Sequence, residues 1–308
     1  MRIFRSIKEL NNCSECVCAL GNFDGIHKGH QKLIESAVSI AKSKALRSAV
    51  FTFTDHPLNV MSGHIITKNI LSFDDKAKIL EDMGVDYLFS FDFEDYRTMS
   101  PEDFAKNLLA EGLNIKHAVC GFNYSFGYKA MGHNEDLIKF GKKYGFETTV
   151  IEPVQIDGLT VSSTLIRACI EKGDLESYLS YTGRLYAIYG KVIEGEHNGR
   201  KMGFPTVNLN LDASMALPAN GVYTTKTIID EKVYASVTNV GNKPTIGDFD
   251  KNAETHIFDF QENIYGKPLM VQFIKMQRNE QKFENMDALA VQIEKDCMEA
   301  KKYHEINL

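Results

Sequence analysis

Val17–Ala41 reads VCALGNFDGIHKGHQKLIESAVSIA, and its character changes twice. Val17–Leu20 is a short apolar run of the kind that forms a buried strand. From Gln31 to Ala45, residues Leu33, Ile34, Ala37, Val38 and Ala41 recur at helical spacing and predict a helix with one apolar face. Between them lies Gly21-Asn22-Phe23-Asp24-Gly25-Ile26-His27-Lys28-Gly29-His30. Strand, glycine-rich turn and helix form the opening unit of an α/β domain, where ligands bind beyond the carboxyl ends of parallel strands. The glycines let backbone approach a phosphate, and the helix N-terminus that follows favours an anion. His27 and His30, three residues apart at that helix start, reach one phosphate-sized space. Imidazole N–H groups there can stabilise the charge that develops during phosphoryl transfer. Such transfer needs positioning and electrostatics rather than a protein nucleophile. The plainer alternative is a turn whose histidines only cap a helix. No GxxxxGK[ST] occurs and no GxGxxG opens a helix, which excludes P-loop and dinucleotide readings.

Working outward, the alternation of strand and helix continues to about Gly183. Ser48–Phe53, Tyr87–Phe91, His117–Cys120 and Glu147–Val154 read as strands, and Asp74–Met83 as a helix. Ser100-Pro101-Glu102-Asp103 supplies an N-cap, a first-turn proline and first-turn acid for a helix to about Glu111. A further helix ends near Tyr144 with Gly145 as its stop. This pattern predicts a parallel sheet covered on both faces. At the end of the domain, Val161-Ser162-Ser163-Thr164-Leu165-Ile166-Arg167 places hydroxyls at a helix start with an arginine one turn in. Those groups suit a polyphosphate, although a simple N-cap with a surface arginine would look the same.

After Gly183 short strands are punctuated by Gly, Pro, Asn and Asp. Leu185–Val192, Thr206–Leu211, Gly221–Ile229, Val233–Val240, Thr255–Phe260 and Leu269–Met276 are the candidates, and they predict a small antiparallel barrel. The last stretch is helical by periodicity, with Met286, Leu289, Ile293 and Cys297 on one stripe packed against the barrel. Two domains follow, residues 1–183 and 184–308. Within the second, Thr206 and Asn208 lie two apart on a strand and share a face. Their hydroxyl and amide oxygens are hard ligands suited to Mg²⁺. Glu254, at the start of Glu254-Thr255-His256-Ile257-Phe258-Asp259-Phe260, could take a proton from an attacking hydroxyl. As turn and edge residues, all three would equally be ordinary surface.

The composition narrows the setting. With 308 residues, 44% hydrophobic and 25% charged, the chain is an ordinary globular composition at a length that splits into two cores. A net charge of −6 argues against a broad nucleic-acid face. No secretory leader pattern or membrane-length apolar run is seen, so a cytoplasmic location with no membrane partner is expected. Of the six cysteines, Cys13 and Cys16 have CxxC spacing, but no second ligand pair follows, and reduced thiols are the better reading.

The motifs GNFDGIHKGH and VSSTLIR resemble the HxGH and SSTxIR motifs of the nucleotidyltransferase superfamily, in the form found in prokaryotic bifunctional riboflavin kinase/FMN adenylyltransferases. The likeness continues through Thr52-Phe53-Thr54-Asp55-His56-Pro57, Gly84-Val85-Asp86-Tyr87 and Gly121-Phe122-Asn123-Tyr124-Ser125-Phe126-Gly127. In the second half, Gly203-Phe204-Pro205-Thr206-Val207-Asn208 is similar to the riboflavin kinase GxPTAN signature. Ala253–Phe260 is similar to the strand carrying its catalytic glutamate. Asn239–Thr245 and Arg278–Phe283 are also similar to family segments. The resemblance implies a Rossmann-like α/β nucleotidyltransferase domain followed by a six-stranded Greek-key barrel with a C-terminal helix.

It further implies that riboflavin, FMN, FAD and ATP are the ligands, with Mg²⁺ as cofactor and no obligate protein partner. His27 and His30 would bind ATP phosphates, with Gly21, Asn22, Phe23, Asp24, Gly29, Ser162, Ser163, Thr164 and Arg167 around the nucleotide. Asn123, Phe126 and Arg278 would lie at the flavin. In the kinase half, Gly199, Gly203, Pro205, Thr206 and Asn208 would hold Mg-ATP, and Glu254 would be the base. The chain departs from the pattern at Val207, at Lys243 and around Ile65–Leu71, none of which touches the reacting groups. Two alternatives stay in view: one working module with the other a flavin-binding scaffold, or a non-enzymatic flavin sensor.

Overall fold

In β2 (Cys16–Leu20) all five residues are buried, because both faces of the strand are covered. Cys16, Cys18 and Leu20 point to one side, into a cluster with Phe51, Phe89, Phe104, Leu108 and Leu137. Val17 and Ala19 point to the other, against Leu33, Ile34, Ala37 and Val38 of α1 (Lys28–Ser43). Each such Leu or Ile contributes about 1.5–3 kcal/mol when fully buried, so this stripe, more than helix propensity, seats α1 on the sheet. The computed structural model describes residues 1–10, 13–194, 203–244 and 249–307. Its chain forms two compact units, Met1–Ser163 and Thr164–Leu308.

The first unit is built on a six-stranded sheet. Its other strands are β1 (Arg2–Phe4), β3 (Arg47–Phe53), β4 (Tyr87–Phe91), β5 (Ile115–Gly121) and β6 (Glu147–Ile151). The order is β1-β4-β3-β2-β5-β6, and every neighbouring pair is parallel. From β2 the chain steps outward to β3 and β4, then crosses to β5 on the opposite side of β2. That reversal opens a crevice at the carboxyl ends of β2 and β5, where an open α/β sheet binds its ligands. Helices α2 (Pro57–Ser62), α3 (Phe73–Asp82), α4 (Pro101–Asp103) and α5 (Asn134–Tyr144) connect the strands, and a hairpin of β7 (Gln155–Ile156) and β8 (Leu159–Thr160) follows β6.

Three local outcomes differ from expectation. Helix α1 begins at Lys28 rather than Gln31, because His27 takes extended backbone angles as its N-cap and accepts from the His30 amide. The helix capped by Ser100 widens at once into i→i+5 turns over Phe104–Gly112, with the Leu113 amide bonded to the Leu108 carbonyl at 2.8 Å. This wider winding carries Phe104, Ala105, Leu108 and Leu109 together into the core. Strand β1 was not predicted. It is three residues long with only Phe4 buried, too short for a period to show.

In the second unit, helix α6 (Ser163–Lys172) leads through Gly173 to α7 (Leu175–Thr182). Gly173 has φ +75°, and a Cβ there would come within 2.9 Å of Met276 Sδ and Tyr223 Oη. Strands β9 (Tyr186–Ile193), β10 (Val207–Asn210), β11 (Gly221–Ile229), β12 (Lys232–Pro244), β13 (Phe249–Ile257) and β14 (Pro268–Asn279) then close a barrel. Its order is β10-β13-β12-β11-β14-β9, antiparallel throughout. The interior combines Tyr223 and Phe273 with buried hydroxyls in direct contact. Thr225 meets Ser236 at 2.8 Å and Thr238 at 2.9 Å, and Thr238 meets Thr255 at 2.9 Å. Each hydroxyl finds a partner only in this register, so the ladder fixes how the strands align.

Helix α8 (Met286–Asn307) lies on the barrel's outer face through Ile293, Cys297 and Ala300, beside Val222, Val237 and Phe258. Met286, expected on that stripe, is 52% exposed. Strand β13 begins at Phe249, earlier than expected, so Glu254 lies inside it rather than at its start. Thr206 falls one residue before β10.

Candidate active sites

The Gly21–His30 loop leaves β2 at the switch point and turns sharply. Phe23 at φ +49°, Gly25 at φ +83° and Ile26 at φ +33° all lie in the left-handed region. For Phe and the β-branched Ile this costs of order 1–3 kcal/mol each. Both side chains are fully buried, and the packing holds the conformation. Asp24 Oδ1 accepts from the Ile70 amide at 2.9 Å, and the Asn22 carbonyl accepts from Thr52 Oγ1 at 3.0 Å. Ser163 Oγ donates to the Asp24 carbonyl at 2.8 Å, which joins the first motif to the start of the second.

This loop stacks the two histidines. The His27 and His30 rings lie 3.8 Å apart at 20°, and Phe23 meets His30 edge-on at 5.2 Å. A Cβ on Gly29 would come within 3.1 Å of the His27 ring, so the glycine between the histidines makes room for the stack. Burial drives the His30 imidazole well below its ordinary pKa, and His27 and Lys76 push the same way. His30 is therefore a neutral ring at pH 7. Its Nδ1 is buried with no hydrogen-bond partner among the described residues. A buried polar atom so placed suits a ligand oxygen.

Lys76 on α3 also reaches this loop, its Nζ donating to the Asn22 carbonyl at 3.1 Å. Burial lowers its pKa, with Asp24 opposing. The sequence reading missed Lys76, because one lysine on an amphipathic helix looks like solvated surface and no local motif marks it. Gly121, Phe122 and Asn123 emerge from β5 on the other side of the switch point, with Asn123 exposed. Phe126, expected at the flavin, packs in the core 5.5 Å from the Phe104 ring. Ser162 is half-buried in the first unit, while Thr164 and Arg167 ride on the early turns of α6 and belong to the second unit.

In the barrel, strand register assembles the second cluster. Asn208 on β10 pairs directly with Glu254 on β13, and Glu254 pairs on its other side with Asn239 on β12. The three side chains share the outward face. Asn208 is buried, and its Oδ1 accepts from Asn252 Nδ2 at 2.8 Å; the same nitrogen donates to Glu254 Oε1 at 3.1 Å. His256, next along this face, has Nδ1 2.7 Å from the Pro205 carbonyl, and burial lowers its pKa. Gly203, at φ +85°, and Pro205 lead into Thr206. Gly199 and the side chain of Lys243 lie outside the described residues. Arg278, expected at the flavin, directs Nε and Nη2 to Asp296 of α8, at 3.0 and 2.7 Å.

The donors fit Mg²⁺ in kind. Asn208 presents an amide oxygen whose orientation Asn252 fixes, and Thr206 a hydroxyl; both are hard ligands. Among the described residues no group of three or more His, Cys, Asp or Glu side chains could hold a metal. A cation here would complete its shell with water and phosphate oxygens, as Mg²⁺ usually does. All six cysteines are free, and burial pushes Cys120 up to about 12 and Cys297 up to about 11.

An HxGH loop at the switch point of a parallel sheet, followed by a six-stranded barrel with a paired Asn and Glu, defines a nucleotidyltransferase unit joined to a flavokinase-type barrel. The family comparisons agree, matching FAD synthetase over residues 9–165 and riboflavin kinase over residues 182–304. The chain belongs to the bifunctional riboflavin kinase/FMN adenylyltransferase family. It is 36% identical to the Bacillus subtilis (strain 168) member over 298 residues, covering 94% of this chain and 93% of that one. It is 30% identical to the Escherichia coli (strain K12) member over 307 residues, covering 98% of each. A crystal structure described as a macrolide-efflux protein from Streptococcus pneumoniae superposes with a TM-score of 0.90 at 30% identity, over 97% of this chain and 98% of that one. Among the described residues no helix is long and apolar enough to cross a membrane.

Proposed function

We propose that this chain converts riboflavin to FMN and FMN to FAD, using ATP at both steps. Residues 1–183 would serve as the adenylyltransferase module and residues 184–308 as the kinase. The observation that carries the reading is the direct pairing of Asn208 with Glu254 in a barrel matched as riboflavin kinase, on a chain that also holds the stacked His27–His30 pair.

In the kinase step Glu254 accepts the proton of the riboflavin 5′-hydroxyl as its oxygen attacks the γ-phosphorus of ATP; the bond to the bridging oxygen breaks and ADP leaves. Thr206 and Asn208 would hold Mg²⁺, which when bound would neutralise charge on the ATP phosphates. Gly203 and Pro205 shape the approach to that site.

In the adenylyl step an FMN phosphate oxygen attacks the α-phosphorus of ATP, and pyrophosphate leaves. No protein base is needed, since the attacking oxygen is already ionised. His27 and the neutral His30 donate N–H groups to the phosphoryl oxygens, where charge grows in the transition state. Lys76 adds a cation at the same loop. Ser162, Thr164 and Arg167 hold the triphosphate, Gly21–Asp24 and Gly29 supply close backbone, and Asn123 faces the FMN side. Phe126 backs the FMN side from within the packing of the first unit, and Arg278, held by Asp296, would serve the flavin in the kinase half. A cytoplasmic location suits substrates of this kind.

The test is a time course of purified protein with riboflavin, ATP and Mg²⁺, resolved by chromatography. FMN rising and then yielding to FAD supports both steps. FMN accumulating without FAD removes the adenylyltransferase assignment, and unchanged riboflavin removes the kinase assignment.

A further inference from the structure

The barrel cluster contains one side chain that neither the motifs nor the proposed chemistry uses. Asn252 lies two residues before Glu254 on β13, on the same outward face, and is 9% exposed. Its amide nitrogen carries two hydrogens and has two acceptors: Asn208 Oδ1 at 2.8 Å and Glu254 Oε1 at 3.1 Å. Asn208 and Glu254 stand on different strands, and backbone register alone sets where their Cα atoms lie. Register does not set the side-chain torsions. Asn252 ties both side chains to one nitrogen. An amide oxygen is a metal ligand only if it faces the cation, and a carboxylate is a base only if it faces the proton.

We propose that Asn252 is a positioning residue of the kinase centre, whose single amide nitrogen aligns the metal-binding oxygen of Asn208 with the proton-accepting carboxylate of Glu254. The inference rests on the kinase reading given above. Groups that orient a metal ligand typically change metal affinity or activity by about 10–100-fold when removed. A residue that only stabilised the barrel would instead lower the fraction of active protein and leave the affinity of that fraction for metal unchanged.

Two substitutions of similar size test this. Asn252→Leu removes both donors, and Asn252→Asp replaces the donating nitrogen by an acceptor. Riboflavin phosphorylation is measured against Mg²⁺ concentration. Binding of Mn²⁺ is read by electron paramagnetic resonance in the presence of ADP and riboflavin, a pair that does not react. The denaturant midpoint of the second unit checks that the barrel of each variant is folded, and FAD formation from added FMN in the same preparation checks the first unit.

Both variants should raise the half-saturating Mg²⁺ and weaken Mn²⁺ about tenfold or more, with a lower kinase kcat, a nearly unchanged riboflavin KM and normal FAD formation. Unchanged metal dependence with full or reduced kcat would overturn the proposal, because either result means that Asn208 and Glu254 are aligned without Asn252. If Asn252→Leu fails to fold, Asn252→Asp decides by the same two readouts. Glu254→Gln, run in parallel, separates the two levels of the account. Should it retain kinase activity, Glu254 is not the proton acceptor and the kinase reading fails at that residue, whatever the Asn252 variants do. Should it lose activity while the Asn252 variants keep wild-type metal dependence, only the role of Asn252 fails.

Discussion

The Ser163 hydroxyl donates to the carbonyl of Asp24 at 2.8 Å, across 139 residues of sequence. Asp24 in turn accepts the Ile70 amide through its side chain, so one residue of the glycine-rich loop anchors to two distant segments. Ser163→Ala deletes the first anchor, the hydroxyl bond to the Asp24 carbonyl. The expected cost is about 1 kcal/mol of stability in the first unit. FAD formation should slow with a raised KM for ATP, while FMN formation stays unchanged; separate assays of the two steps check this.

His30 is a neutral ring stacked on His27, with a buried nitrogen awaiting a partner. Replacing it with Leu keeps the packing against Phe23 and removes both ring nitrogens. Loss of a preorganised donor to a developing oxyanion costs about 10²–10³ in rate. His30→Leu should reduce FAD formation by that order and leave riboflavin phosphorylation intact, which a chromatographic assay of both products resolves.

Burial lowers the pKa of four histidines: His30 and His117 in the first unit, His256 and His304 in the second. Unfolded, each imidazole binds a proton below about pH 6.5, whereas folded it stays neutral to a lower pH. The unfolded state therefore holds more protons in that window, and stability falls as pH drops below about 6.5 toward each folded pKa. Thermal unfolding between pH 7.5 and 5.5 should show a falling Tm. His304→Gln, which can keep the bond now made by Nε2 to the Thr225 carbonyl, should make that fall shallower.

Inside the barrel, Thr238 links Thr225 to Thr255 through its hydroxyl. Thr238→Val preserves shape but leaves two buried hydroxyls each short of one partner. A loss of about 1–3 kcal/mol is expected, read as a lower denaturant midpoint for the second unit. A midpoint equal to wild type would mean that the ladder does not hold the register.

Much of this was legible from local pattern. The β2–α1 stripe, the Ser100 and Gly145 stops and the strands Tyr87–Phe91 and Gly221–Ile229 follow periodicity and capping chemistry that a few neighbouring residues define. Lys76 and Asp296 were hidden, because each acts across a fold contact that no local spacing encodes. Asn252 was hidden for a narrower reason. Starting the strand at Glu254 left it outside, whereas the period of two along Phe249–Ile257 puts it on the same face as the glutamate. Phe126 and Arg278 show a related point: a motif marks a segment, whereas the Phe104 ring and the Asp296 carboxylate they meet come from distant sequence.

The central claim is that one chain carries two separable chemistries, with Glu254 serving only the first. Glu254→Gln keeps the side chain's size and its bond from Asn252 while removing the carboxylate base. Supplied with riboflavin, ATP and Mg²⁺, this variant should form FMN at least 10²-fold more slowly than wild type, about the lower bound for losing a general base. Supplied with FMN instead, it should form FAD at the wild-type rate. Undiminished phosphorylation of riboflavin, or equal loss of both activities, would contradict the account.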